Sequence, residues 1–196
     1  MRHLLLALIA AAGLACAVRI RMLLSAGLEL HSLEVAARAR CESILRAEEQ
    51  RRLAPPAKAR FAPHEFLSAL IDEGRLADFE RVEGGGRELY RCGGYLFHVR
   101  LKNRLGRPIA APPAAPEPGI GLDFELWAWP ADPEETTAAL FYGSQAGFLI
   151  QGDNGRFGGV EACPEEGAAQ NPLRQIDAAP NESSDRWVKV ASIRGG

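Results

Sequence analysis

The sequence lacks the side-chain groupings that metal and nucleophile chemistry require. Each histidine (His3, His31, His64 and His98) stands more than five residues from any other His or Cys, so no zinc-type ligand pair exists. The spacings of Cys41, Cys92 and Cys163 match no metal motif. Gly84-Gly85-Gly86 has no Lys-Ser/Thr after it, which excludes a phosphate loop. Asp153-Asn154-Gly155 lacks the spaced acids and final Glu of a calcium loop and reads as a turn. In Gly143-Ser144-Gln145-Ala146-Gly147 the Ser is second rather than third, so a hairpin turn replaces a hydrolase elbow. Glu134-Glu135 and Glu165-Glu166 read as solvated acids in turns, and His98 as a solvated strand residue. No catalytic residue, metal or cofactor is therefore expected, and the chain reads as not an enzyme.

Charge of one sign is also missing. Twenty-three Lys and Arg face 25 Asp and Glu, for a net charge of −2. That balance gives no basic surface for nucleic acid and no acidic solvating tail. No internal repeat is visible.

What is present begins with an address. Arg2 and His3 precede an uncharged run from Leu4 to Val18, closed by Arg19 and Arg21. The run is shorter than the roughly 20 residues of a spanning helix and fits a secretory signal. Ala15 and Ala17 suit a signal peptidase. Gly13-Leu14-Ala15-Cys16 is close to a lipoprotein box, with Gly13 where Leu is usual, so Cys16 is a candidate lipidation site. An uncleaved anchor continuing through Met22 to Leu28 is the third route; it places Arg19 and Arg21 in lipid at about 2.5–3.5 kcal/mol each. Residues 1–21 are thus a signal peptide or membrane tether.

From Leu23 to Leu53 there is no Pro, and Leu30, Leu33, Ala37, Cys41, Ile44 and Leu45 recur at steps of three and four. This predicts a long amphipathic helix over 22–54, ended by Pro55-Pro56. A short helix follows, with Pro63 in its first turn, Phe66, Leu67, Leu70 and Ile71 on one face, and Gly74 as its cap. After Tyr90 the period becomes two. Strands are predicted at Tyr95–Leu101, Leu122–Trp129, Thr137–Tyr142 and Phe148–Gln151, around a Pro-rich excursion from Ile109 to Gly121. Residues 55–160 form an α+β domain. Residues 161–196 form an irregular C-terminal segment in which Trp187-Val188-Lys189-Val190 returns as a short element.

Helices followed by consecutive strands predict an α+β fold, a long N-terminal helix covering one face of a small antiparallel sheet. Cys92 and Cys163 flank predicted strands and form a candidate disulfide in an oxidising compartment. Cys41 falls on the helical stripe as a small core residue. Trp127 and Trp129 share the face opposite Leu126 and Ala128. They are either packed internally, under Pro112–Pro118 or the C-terminal segment, or a weak binding patch for another protein.

Several stretches together resemble a group of exported bacterial proteins of unknown function with pilin-like (pseudopilin-like) architecture. They are Ala36-Ala37-Arg38-Ala39-Arg40 with Ser43-Ile44-Leu45-Arg46-Ala47-Glu48, Phe66-Leu67-Ser68-Ala69-Leu70 with Gly74-Arg75-Leu76, and Gly94-Tyr95-Leu96-Phe97-His98-Val99. Phe124-Glu125-Leu126-Trp127-Ala128-Trp129-Pro130-Ala131 and Ala146-Gly147-Phe148-Leu149-Ile150 complete the set, which covers roughly residues 33–160. The resemblance implies a structural or interaction module of the cell envelope, periplasmic or outer-surface, with envelope or secretion-apparatus proteins as partners. A small ligand- or peptide-binding envelope protein is the alternative. A type IV pilin carries a basic leader ending in Gly, then Phe and a Glu five residues into the mature helix. Gly27-Leu28-Glu29 does not match that junction. The resemblance therefore does not extend to prepilin-peptidase processing or fibre assembly.

Overall fold

The computed structural model describes residues 2–53, 63–74, 76–84, 87–102, 108–109, 123–135, 138–144, 147–154, 157–161, 164 and 187–192, with the side chains of 2–18 and a few others outside the description. Among the described residues, two helices precede eight strands: α1 (Arg2–Leu53), α2 (Pro63–Asp72), β1 (Glu80–Gly84), β2 (Arg87–Cys92), β3 (Tyr95–Lys102), β4 (Pro108–Ile109), β5 (Asp123–Pro130), β6 (Leu140–Ser144), β7 (Phe148–Gly152) and β8 (Trp187–Ser192). The fold is α+β, with one long N-terminal helix and an antiparallel sheet. The sheet is larger than the small one expected. Its order is β1-β2-β3-β5-β6-β7-β8, and β4 pairs with β3 off that path. Strands on the path follow one another in chain order; short connections join β1 to β2, β2 to β3 and β6 to β7, while β3 reaches β5 through residues 103–122 and β7 reaches β8 through residues 153–186.

The added strands come from two places. β1 and β2 occupy the stretch around Gly84, where only a turn was expected. Their register pairs Val82 with Leu89 and Gly84 with Arg87. At the other edge, β8 joins β7, so the C-terminal segment 161–196 supplies a sheet strand. The β2–β3 turn is made by Gly93 and Gly94 at φ 55° and 83°. Two consecutive positive φ values give the turn whose twist matches the flanking strands, and side chains beyond Gly rarely allow it. Between β6 and β7, Gly147 N–H donates to Ser144 O at 3.0 Å, the hairpin turn expected there.

Alternation then sorts side chains onto two faces. On the first lie Tyr95 and Phe97 of β3, Phe124, Leu126 and Ala128 of β5, Phe141 of β6 and Leu149 of β7. α1 covers this face with Ala37, Cys41, Ile44 and Leu45, all buried, while Leu30 and Leu33 pack at the margin. The stripe read from the sequence is the packing face. Polar bonds fix the docking. Ala139 N–H donates to Glu34 Oε1 at 2.8 Å, and Arg38 donates to the Val190 carbonyl of β8. α2 adds Leu67 and Leu70 to the same core.

The second face is also buried, as the internal packing expected for Trp127 and Trp129 requires. Leu89, Leu96, Trp127, Trp129, Leu140, Tyr142 and Ile150 form a separate core. Phe157, Val160 and Trp187 lie against it. Two indoles side by side present more apolar surface than a strand can leave in water, so chain outside the helix folds over them.

Cys41 and Cys92 are buried and, among the described residues, form no disulfide; burial pushes the Cys41 thiol well above its usual range. Cys163 and the side chain of Cys16 lie outside the described residues, as does the excursion Pro112–Pro118.

Candidate functional site

The second face holds a buried polar arrangement. Register aligns two rows across it. One runs His98, Trp127, Tyr142, Ile150 and Lys189; the other runs Arg100, Glu125 and Ser144. The rows are neighbours because each strand contributes residues two apart, Glu125 and Trp127 on β5 for example, which point the same way.

Glu125 is the centre. Its Oε2 accepts from Arg100 Nε at 2.7 Å and its Oε1 accepts from Tyr142 Oη at 2.8 Å. The carboxylate is buried, and its two oxygens are engaged by a cation and a hydroxyl. Such a group is a clamp tying β3, β5 and β6. The Arg100 guanidinium carbon stands 6.0 Å from the Trp127 ring centroid, at the outer range of cation–π attraction.

Trp127 and Trp129 are 2% and 0% exposed. Trp129 Nε1 donates to Gly159 O at 3.0 Å, which pins the 157–160 loop over the sheet. Trp127 meets Tyr142 and Trp187 edge-on at 4.7 and 6.5 Å between centroids. Trp187 reaches it because the paired Gly152 has no side chain; a Cβ there would lie 2.7 Å from the Trp187 ring. Trp127 Nε1 is buried and has no hydrogen-bond partner among the described residues. The two sequence-singled tryptophans thus stand together in an internal core, covered by the chain itself.

His98 departs from its solvated reading. It is half-buried, with Nδ1 3.1 Å from Glu88 O. Cys92 lies on the helix-facing side, and Cys163 is outside the described residues. Among the described residues, no group of three or more His, Cys, Asp or Glu side chains is placed to hold a metal ion.

No family profile, curated protein or solved structure matches this chain. Sequence reasoning passed over Arg100, Glu125 and Tyr142. The usable signal was the charged Glu125 between Phe124 and Leu126 on a strand whose both faces carry large apolar groups. A charge on such a strand requires a partner.

Proposed function

We propose that this chain is an exported, membrane-tethered, non-enzymatic structural or interaction module of the cell envelope, pseudopilin-like in plan. The observation that carries the reading is the division of α1. One continuous helix runs from Arg2 to Leu53, and its second half is built into the sheet's core. Residues 19–29 stand exposed between the apolar run and that core. A helix packed along its second half and exposed over residues 19–29 suits the joining of a head domain to something beyond it. The apolar run Leu4–Val18 gives that something the chemistry of a membrane or an export signal. Among the described residues, no helix is long and apolar enough to cross a membrane; the side chains of 2–18 lie outside that statement.

Cell fractionation with protease access tests this. The full chain should sediment with membranes or appear in the periplasm, resist protease in intact cells and be cut in spheroplasts. Full-length protein soluble in the cytoplasm defeats the proposal.

A second reading, a small ligand- or peptide-binding envelope protein, draws on Trp127 Nε1. A buried donor without an acceptor costs about 1–3 kcal/mol, a deficit that a bound carbonyl would remove. Native mass spectrometry of the purified chain decides it. Retention of a small molecule by the wild type and its loss in Trp127→Phe supports binding; no retained mass, or equal retention by both, ends this reading.

A further inference from the structure

The cover of the second core is anchored at one end by an asparagine. Asn154, just past the end of β7, is 5% exposed. Its Nδ2 donates to Phe157 O at 2.6 Å, and its Oδ1 accepts from Phe157 N–H at 2.9 Å. A carboxamide makes both bonds because it carries a donor and an acceptor, whereas a carboxylate has acceptors only. Beyond Phe157 the chain stays on the sheet. Gly159 N–H donates to Pro130 O, and Gly159 O accepts from Trp129 Nε1, both at 3.0 Å. Phe157 and Val160 lie against the core that holds Trp127 and Trp129. In the sequence Asn154 is followed by Gly155. With no Cβ on that next residue, its amide nitrogen meets little hindrance in reaching the Asn154 carboxamide carbon.

We propose that Asn154 is a site of spontaneous deamidation, and that the change releases the 157–160 cover in one direction only. The Gly155 amide nitrogen bonds to Asn154 Cγ; its proton and the Nδ2 group leave as ammonia, and a cyclic imide forms. Water then adds to either imide carbonyl and breaks one C–N bond, giving aspartate or isoaspartate. The two bonds to Phe157 hold the carboxamide in place, so the folded chain reacts through brief openings of the cover. Either product carries a carboxylate where the amide stood. The Phe157 carbonyl loses its donor and faces a second acceptor. Isoaspartate also lengthens the main chain by one carbon. Neither product remakes the paired bonds, so the opened form gains population and the face of Trp127 and Trp129 becomes accessible. The proposal concerns the second core alone and does not depend on export or on the tether.

The test ages the full chain in mild detergent at mildly alkaline pH, folded or unfolded in urea. Mass spectrometry follows the peptide that contains Asn154, and isoaspartate is assayed separately. Isoaspartate should accumulate in urea, the signature of the cyclic imide, and more slowly in the folded chain. Trp129→Phe removes one bond of the cover and should speed conversion in the folded chain by about fivefold. All three tryptophans, Trp127, Trp129 and Trp187, lie in or against the second core, so indole fluorescence reports on its cover. Quenching by acrylamide should rise in Asn154→Asp. Should that variant lose its helical circular dichroism, the same comparison is made on aged wild-type chain, with converted and unconverted molecules separated by charge. Absence of isoaspartate in urea overturns the modification site. Equal rates in folded and unfolded chain, or no acceleration in Trp129→Phe, overturn the guarding by the cover. Quenching unchanged by conversion overturns the release.

Discussion

Arg100 and Glu125 face each other directly across β3 and β5, 2.7 Å apart, with side chains 16% and 7% exposed. Tyr142 completes the clamp from β6. Removing one partner leaves the other charge buried and uncompensated. Glu125→Ala should therefore cost about 3–5 kcal/mol in urea unfolding, well above an ordinary surface ion pair. Arg100→Met combined with Glu125→Leu should recover most of that loss, since neither charge is then desolvated. A loss under about 1 kcal/mol in Glu125→Ala would place the pair in effective contact with water.

The helix-to-sheet core gives a second expectation. Ile44 is fully buried among first-face residues. Ile44→Ala should cost about 2–5 kcal/mol through lost burial and the cavity left behind. Ile44→Asp should cost more, because among the described residues the core around it is apolar and a charge there would be buried. A melting temperature unchanged by Ile44→Asp would mean that α1 does not dock through this stripe.

The tryptophans test the second core. Trp127→Ala and Trp129→Ala should each cost about 3–5 kcal/mol, since each removes a buried indole. Trp129→Phe isolates the Gly159 hydrogen bond, and its expected cost includes about 1 kcal/mol for that bond. The loop itself reports the outcome. Proteolysis near residues 157–160 should speed up in Trp129→Phe, and an unchanged cleavage rate would separate the loop from the indole.

How far the sequence reached follows from which signals are local. The stripe Ala37, Cys41, Ile44 and Leu45 was readable because helical periodicity lies within one segment. The faces of β3 and β5 were readable for the same reason, through alternation. β1 and β2 were missed because Arg87-Glu88-Leu89-Tyr90-Arg91-Cys92 alternates charge with only two large apolar groups, Leu89 and Tyr90, and these point to opposite faces. The Arg100–Glu125–Tyr142 clamp needed the register of three strands, which no single segment encodes. The burial of Trp127 and Trp129 was inferable as a requirement, and the C-terminal segment, which supplies Trp187, was one of the expected covers; Phe157 and Val160 were not foreseen, because only tertiary folding brings them in.

Alkaline pH should weaken the fold through Tyr90. Its hydroxyl donates to Glu88 Oε1 at 2.6 Å and lies 2.9 Å from Ser68 Oγ. Burial first, and then the bond to Glu88, push its pKa up to about 12. The fold holds the neutral phenol. Its contribution is complete below the ordinary phenol value of about 10 and is lost as pH rises toward about 12. Burial raises the Tyr95 hydroxyl as well, in the same direction. Stability measured by circular dichroism should fall across that window, and the fall should be shallower in Tyr90→Phe. Identical slopes in the two proteins would show that Tyr90 does not titrate within the fold.

α1 comes close to the sheet at Gly143 of β6, and this sets the last expectation. A Cβ built there would stand 3.0 Å from both Leu45 methyl carbons, Cδ1 and Cδ2. Leu45 is buried, and its backbone belongs to a helix held on either side by Ala37, Cys41 and Ile44. The leucine therefore has little room to yield, and Gly143→Ala should destabilise by about 1–3 kcal/mol through overpacking. Leu45→Ala alone should cost about 2–5 kcal/mol by opening a cavity at the same spot. Together the two changes partly cancel, because the new methyl enters the space the leucine leaves. The double variant should be more stable than the sum of the single losses by about 0.5–3 kcal/mol, the range for residues in contact. Strict additivity in a double-mutant cycle would mean that Leu45 does not rest on Gly143. A coupling of this sign would locate the helix on the sheet at one residue pair, independently of any assay for the function of the chain.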